Sequence, residues 1–354
     1  MSNHARLILL SGTGGAGTST LAVATAEALR GEGLTVALID ASSGGEPDPV
    51  VVDRLASSVG RLGAELGADP LIPDAWSTLP GVRGLSALHR MSTALGDPGV
   101  DAVLVDAGSL AAARDLVGLP AAALRLLDAL LTPRMAMHRT PGSTAEGTMF
   151  ESLSALRLDI LALRQMLLRP ATTMRLVTTP DERSVRRTSR SLAVFALLGI
   201  GVDGVVVNRF PRKSEGWPKA LRAEADRCLD LMWRLADGVE VWSSTSKVRP
   251  VPKGRSAMGP LGRVLVLDAD QLTVTVGDEE FRMEIPLADP AREEARIGRQ
   301  GDQLVVQFDD VTRWIDLPPV LRRCLSLEAV RTDRGLSVRF APDPATWRQS
   351  EVAS

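Results

Sequence analysis

A glycine-rich segment between an apolar strand and a helical stretch narrows the folds open to this chain more than any other part of its sequence. Residues 12–20 read GTGGAGTST, after the apolar run Arg6–Ser11 and before the Ala- and Leu-rich stretch Ser19–Arg30. Glycines permit a tight wrap that aims backbone N–H groups at an anion, and the N-terminus of the following helix favours negative charge. The context therefore predicts a phosphate-binding turn built on four glycines, Gly12, Gly14, Gly15 and Gly17.

The first 250 residues alternate between apolar strands and helices. Helices are predicted at Ser19–Arg30, Asp181–Leu198 and Pro218–Ala236. Continuous apolar strands between helices indicate a parallel sheet with both faces covered. We predict an α/β fold with a mostly parallel sheet over residues 1–242, with helical insertions at about 49–95 and 121–169 that are too long for simple crossovers. The six predicted strands are Arg6–Ser11, Thr35–Asp40, Val100–Asp106, Arg175–Thr178, Gly204–Asn208 and Val239–Trp242.

The C-terminal part changes to a pattern of short strands. Residues 243–262 contain three prolines and three glycines without periodicity and form a predicted linker. Short strands at regular spacing are typical of an all-β sandwich, which we predict over residues 263–340, with a tail at 341–354. The predicted strands are Arg263–Asp268, Gln271–Val276, Glu280–Ile285, Gln303–Phe308, Val311–Leu317 and Leu336–Phe340.

Charge and cysteine content exclude several classes of function. The formal net charge is -2, so the balance does not favour a nucleic-acid partner. Two cysteines, Cys228 and Cys324, lie far apart and match neither a zinc site nor a disulfide framework, which indicates a reducing compartment. No apolar run approaches the roughly 20 residues of a membrane span. We therefore expect a cytoplasmic protein that does not insert into a membrane.

The glycine loop resembles the deviant Walker A motif of the ArsA, Get-pathway and MinD/ParA class of P-loop ATPases, and the similarity covers roughly residues 5–255. In that motif one lysine follows the first glycine and another follows the last glycine. Thr13 and Thr18 occupy these positions here, so the charge that bridges the β- and γ-phosphates is missing. Ser19 keeps the place of a Mg²⁺ ligand, and Thr20 follows it. The resemblance thus implies a degenerate nucleotide site, although the glycines also fit a turn kept only as scaffold.

Two strand ends carry the remaining candidates for Mg²⁺ and water. Asp40 matches an acid of the MinD/ParA relatives, which implies a Mg²⁺ role, and an aspartate that merely ends a strand is the alternative. In the ArsA branch, the acid that positions the attacking water falls at Ser42. Asp106 resembles the Walker B-type aspartate before the second switch. Residues 110–111 are Leu-Ala where that switch has Thr-Gly, which implies a lost γ-phosphate contact.

Two later segments extend the resemblance. Gly204–Arg209 reads GVVVNR and is similar to the family's Val-Val-Asn segment, which implies that Asn208 recognises adenine, unless it only caps the strand end. Val177–Arg183 reads VTTPDER and resembles the family's strand exit, or equally the ordinary N-terminus of a helix. On that helix Arg183, Arg187 and Arg190 share one face and could meet a phosphate or a partner's acid, with a solvated face as the alternative.

The C-terminal strands resemble the small heat-shock (α-crystallin)-like domain found in some bacterial ArsA-family proteins. The resemblance rests on Glu280–Leu287 (EFRMEIPL), Gly301–Val306 (GDQLVV), Ile315–Pro319 (IDLPP) and Gly335–Phe340 (GLSVRF). These segments hold no grouped nucleophile and base. We expect an interaction module, or a sandwich that only stabilises a dimer.

Together, the two resemblances imply an ATPase-type protein with impaired catalysis. ATP or ADP with Mg²⁺ would bind weakly or not at all. The expected partners are a second copy or an active ArsA-type ATPase, forming a homo- or heterodimer, and a client protein. A slow ATPase that drives transport or protein targeting, and a client-binding scaffold without nucleotide, remain alternatives.

Overall fold

The computed structural model describes the chain as two compact units. Described residues up to Val177 form the first unit, and those from Thr178 onward form the second. None of the described helices combines the length and the apolar character that a bilayer span requires. The described residues are 5–42, 46–65, 77–79, 81–131, 144–211, 216–236, 238–245, 273–276, 280–287, 295–332 and 335–344.

The first unit is built on parallel strands whose apolar residues point to both faces. The strands are β1 (Arg6–Gly12), β2 (Val36–Asp40), β3 (Ala102–Ser109) and β4 (Thr172–Thr178). β1 lies between β3 and β4, and β2 pairs with β3 on the far side. Because all four are parallel, their carboxyl ends meet at one edge of the sheet, where the glycine loop begins.

In the described part of the first unit, five helices cover this sheet and add a helical layer. They are α1 (Thr18–Gly31), α2 (Pro49–Glu65), α3 (Val82–Gly96), α4 (Leu110–Leu130) and α5 (Thr144–Leu167). α4 begins directly after β3 and runs through Pro120 without ending. Its C-terminal half packs on α5 through an apolar cluster formed by Leu124, Leu127, Leu153, Leu156 and Ile160.

The second unit begins with two helices and two strands. It contains α6 (Glu182–Leu198), β5 (Gly201–Phe210), α7 (Lys219–Leu235) and β6 (Val241–Thr245), with β5 and β6 parallel. Among the described residues, six strands form one sheet in the order β2-β3-β1-β4-β5-β6. The predicted α/β class with a parallel sheet is confirmed.

The rest of the described second unit consists of antiparallel strands and one short helix. One sheet has the order β11-β10-β9 and the other β12-β13-β8-β7, which confirms the predicted sandwich. The predicted strand Arg263–Asp268 lies outside the described residues. The elements are β7 (Thr273–Val276), β8 (Phe281–Pro286), β9 (Arg296–Gln300), β10 (Gln303–Phe308), β11 (Val311–Asp316), α8 (Pro319–Arg322), β12 (Cys324–Thr332) and β13 (Gly335–Pro342).

The core of the sandwich also includes one side of α6. Phe308, Phe340 and Ile285 from the strands belong to the same buried apolar cluster as Val194 and Leu197 from the helix. The Arg313 guanidinium on β11 donates a hydrogen bond to the carbonyl oxygen of Leu197. The sandwich therefore packs directly on a helix that precedes it by some 80 residues in sequence, a contact that the linker composition does not reveal.

Candidate functional site

The glycine loop leaves β1 at Gly12 and enters α1 at Thr18. Gly17 is the N-cap of α1 with φ 87°, a left-handed conformation that favours glycine. A Cβ added at Gly12 would lie 2.5 Å from the carbonyl oxygen of Val177 and 2.6 Å from Thr18 Oγ1, so no side chain fits there. At Gly14 and Gly15 an added Cβ would meet no atom within 4 Å. The loop is therefore tightly packed at Gly12, whereas there is open space beside Gly14 and Gly15.

Both threonines of the loop are buried. Thr13 is 6% exposed, its N–H donates to Val177 O at 3.0 Å, and its carbonyl accepts from Ala16 N at 2.8 Å. Among the described residues, no group bonds its buried hydroxyl. Thr18 is 9% exposed and turns its hydroxyl towards Gly12. Neither of these two threonines extends into solvent. No residue of the segment 12–20 has a charged side chain.

Ser19 and Thr20 lie on the first turn of α1, and both are exposed. This turn has no acidic residue, and its N-cap residue, Gly17, has no side chain that could cap the N–H groups. The first N–H groups of a helix have no partner within the helix, so they are available to an anion at this end. The backbone, rather than any side chain, makes this end attractive to a phosphate.

Two aspartates lie at the same edge of the sheet. The Cα atoms of Leu10, Asp106 and Asp40 are register partners across β1, β3 and β2. Asp106 is buried, and its Oδ1 accepts a hydrogen bond from Gly108 N at 3.0 Å. Asp40 is exposed, and its Oδ1 accepts from both the N–H and the hydroxyl of Ser42, at 2.8 and 2.7 Å. In the part of the chain that is described, no three metal-ligating side chains form a cluster.

The C-terminal end of β3 and the start of α4 were not fully anticipated from sequence, because the predicted strand ended at Asp106 whereas β3 ends at Ser109. Gly108 has φ 71°, and an added Cβ would lie 2.8 Å from Ser42 Cβ, so this glycine lets the β2 and β3 exits pack together. Ser109 caps α4 by accepting from Ala112 N at 3.2 Å. Leu110 and Ala111 therefore stand in the first turn of a regular helix. The sequence signal for this tight packing was Gly108, a glycine two residues after the end of the predicted strand at Asp106.

The candidates of the second unit have local roles that the structure describes. Asp181 is the N-cap of α6 and accepts from Ser184 N at 2.9 Å and from the Thr179 hydroxyl at 2.6 Å. This supports the helix-terminus interpretation of that segment. Asn208 lies near the end of β5 and is partly buried, and its contact with adenine stays a prediction.

Neither cysteine is an attractive nucleophile. Both thiols are buried and free. Burial, followed by the charge of Glu224, raises the pKa of Cys228 to about 11, and burial also raises the pKa of Cys324. The thiolate is the reactive form, so both side chains are unreactive near neutral pH.

Comparison with known proteins identifies the family. The anion-transporting ATPase (ArsA) family model matches residues 34–223, and the HSP20-like domain found in ArsA matches residues 278–340. The chain is 27% identical to the uncharacterized protein SCO2128 of Streptomyces coelicolor, over 97% of this chain and 99% of that protein. It is 26% identical to protein Rv2184c of Mycobacterium tuberculosis, over 97% and 98% respectively. The chain belongs to the ArsA anion-transporting ATPase family and carries the HSP20-like domain of that family at its C-terminal end.

Proposed function

We propose that this chain is a catalytically impaired ArsA-family protein that acts as a subunit or interaction partner, pairing with a second copy or with an active relative. One observation carries the proposal: buried Thr13 and Thr18 stand where the family resemblance places two lysines. Phosphoryl transfer depends on cations positioned around the transferred phosphate. Loss of one preorganised contact typically lowers the rate by about 10²–10³.

The backbone of the loop suits a phosphate group, but its side chains supply no positive charge to balance a triphosphate. The space above Gly14 and Gly15 and the uncapped start of α1 suit one phosphate group. The two carboxylates at the sheet edge, Asp40 and Asp106, add negative charge that no loop cation balances. Mg²⁺ held by Ser19, Asp40 and Asp106 would offset part of it, so we expect weak binding of ATP or ADP at most.

Two further observations support the proposal. The family match begins at residue 34, after the glycine loop, as expected for a loop that departs from the family pattern. Among the described strands, β12 lies at the edge of its sheet and exposes Leu325, Leu327 and Val330, and an exposed apolar edge strand is prone to pair with another chain. Sedimentation velocity with and without Mg²⁺-ATP measures whether the chain dimerises and whether nucleotide matters for it.

Calorimetry with Mg²⁺-ATP and Mg²⁺-ADP tests the proposal. We expect no measurable binding by the wild type and a gain of binding by Thr13→Lys/Thr18→Lys. The matched control is Val23→Lys/Glu27→Gln, which changes the net charge equally on exposed positions of α1 and should gain nothing. Micromolar binding by the wild type, with turnover, would instead make the slow ATPase the better description.

A further inference from the structure

Helix α6 presents four arginines on one side. Arg183, Arg186, Arg187 and Arg190 are all exposed. At 3.6 residues per turn, their side chains fall within an arc of about 100°, and Arg183 and Arg190 are about 10 Å apart along the helix axis. We call this set the arginine face. It carries four cations on about two turns of helix, in a chain whose formal net charge is -2.

The same side of α6 is covered farther along by the sandwich. Val194 and Leu197 continue the line of the arginine face, and both are buried in the apolar cluster of the sandwich. Buried Val185, Leu192 and Phe195 occupy the opposite side of the helix. The N-terminal half of α6 is thus left exposed beside the sandwich, within one compact unit, and a molecule lying on the arginine face would have the sandwich next to it.

Among the described residues, little negative charge lies beside Arg183 and Arg187 of this face. Glu182 pairs with Arg186 at 2.7 Å, and both side chains are exposed. Asp181 is the N-cap; burial acts to raise its pKa, and hydrogen bonds with Thr179 and Ser184, followed by the charge of Arg183, lower it below its ordinary value. Among the described residues, no carboxylate lies within ion-pair distance of Arg183 or Arg187. These two guanidinium groups are therefore available to an external anion.

We propose that the arginine face binds an acidic segment of a partner protein. The planar fork of arginine binds a carboxylate through two parallel hydrogen bonds, and successive carboxylates of a helical or extended acidic segment match the spacing along α6. No large apolar side chain of α6 is exposed, so the helix has nothing to insert into a lipid bilayer. Nucleic acid is favoured by exposed aromatic platforms and a basic overall charge, whereas the one aromatic residue of α6, Phe195, is buried and the formal net charge of the chain is -2.

This inference deepens the proposed role as an interaction subunit, but its test does not involve the glycine loop, so the two proposals can fail separately. The probe is a fluorescein-labelled decaglutamate peptide, with decaglutamine as the uncharged reference, followed by fluorescence anisotropy. We expect salt-sensitive binding of decaglutamate by the full chain, because exposed charges are screened at high ionic strength. Arg183→Gln/Arg187→Gln should weaken it about tenfold or more, since each lost charge-assisted contact contributes on the order of a few-fold or more.

The control removes two arginines elsewhere. Arg169→Gln/Arg296→Gln changes the net charge equally at exposed positions outside α6 and should leave the affinity within about twofold, because exposed charges outside the arginine face are screened by salt. Glu182→Gln should strengthen binding, because it releases Arg186. Thermal melts of each variant should match the wild type. Failure of the wild type to bind, or equal losses in test and control variants, would overturn the proposal. Tighter binding of phosphatidylserine vesicles or duplex DNA through Arg183 and Arg187 would show that the class of partner is wrong.

Discussion

Asp181 illustrates how a carboxylate beside a candidate site is used for the fold. It lies in the segment that resembles the family's strand exit, and it accepts hydrogen bonds from the Ser184 N–H and the Thr179 hydroxyl. Burial acts to raise its pKa, but these hydrogen bonds outweigh burial and hold the pKa below its ordinary value. A hydrogen-bonded N-cap anion stabilises the first turn of α6, which also carries the arginine face.

Replacing Asp181 should separate its capping role from its charge. Because its pKa is lower in the folded state, its ionisation stabilises the protein above the unfolded pKa of about 3.9 and the benefit is lost as pH falls through the folded value. Asp181→Ala should cost about 1 kcal/mol at neutral pH, whereas Asp181→Asn should retain most of the cap and flatten the loss of stability below about pH 4. Urea unfolding as a function of pH measures both. If the wild type and Asp181→Asn lost stability equally as the pH falls, the stabilising role assigned to the ionised Asp181 would be wrong.

At the scale of elements, the close packing of β5 against β6 depends on one glycine, Gly204. Trp242 of β6 lies over Gly204 of β5, where an added Cβ would come within 2.3 and 2.4 Å of two indole carbons. The sequence interpretation treated Gly204 as the start of the segment that ends at Asn208. The strand begins three residues earlier, at Gly201, and the glycine makes room for the indole ring.

Gly204→Ala should therefore destabilise the protein by about 1–3 kcal/mol, the usual cost of inserting volume into a packed contact. Trp242→Ala in the same chain should remove the clash, so that the double variant loses less than the sum of the two single variants. The matched control is Gly118→Ala within α4, where an added Cβ meets no atom within 4 Å and helix propensity favours alanine. Urea unfolding measures the change in the free energy of unfolding for each single variant and for the double variant. If the two single changes simply add in the double variant, Gly204 and Trp242 are not in contact.

Two strands of the sandwich show where local patterns fail. β9 reads RIGRQ, in which charged residues and a glycine indicate a turn, yet it pairs along its whole length with β10. The Arg299 side chain donates hydrogen bonds to the carbonyl oxygens of Gly301, Arg322 and Cys324, so it fastens the neighbouring segments. Among the described strands, β12 lies at the edge of its sheet and is exposed on both faces, so the alternation of Leu325–Ala329 does not mark a buried face. Pairing with a neighbouring strand, rather than propensity, makes both segments strands.

At the scale of the whole molecule, α6 belongs to two layers. One side carries buried Val185, Leu192 and Phe195, and the other contributes Val194 and Leu197 to the core of the sandwich. A helix buried on two sides couples the stability of the elements that it contacts. The HSP20-like domain is therefore part of a larger apolar core rather than a module held by a linker alone.

Truncation of Leu197 tests this coupling. Leu197→Ala should destabilise the protein by about 2–5 kcal/mol, because it leaves a cavity among fully buried side chains. In hydrogen-exchange mass spectrometry, protection should fall in β8 and β11 as well as in α6. Leu29→Ala, an equally buried change on α1 in the first unit, should leave β8 and β11 protected. If Leu197→Ala affected α6 alone, the sandwich would be an independent module.

By itself, the sequence determined the class of each region and the position of the glycine loop. Apolar strands, helical periodicity and the order of Gly12, Gly14, Gly15 and Gly17 are local signals, and the loop needs only a strand before it and a helix after it. Burial of Thr13 and Thr18, the packing of Gly108 on Ser42, and the place of Trp242 over Gly204 were decided by tertiary structure. So was the contact of α6 with the sandwich, because each of these depends on residues brought together from distant parts of the chain, which no local pattern records.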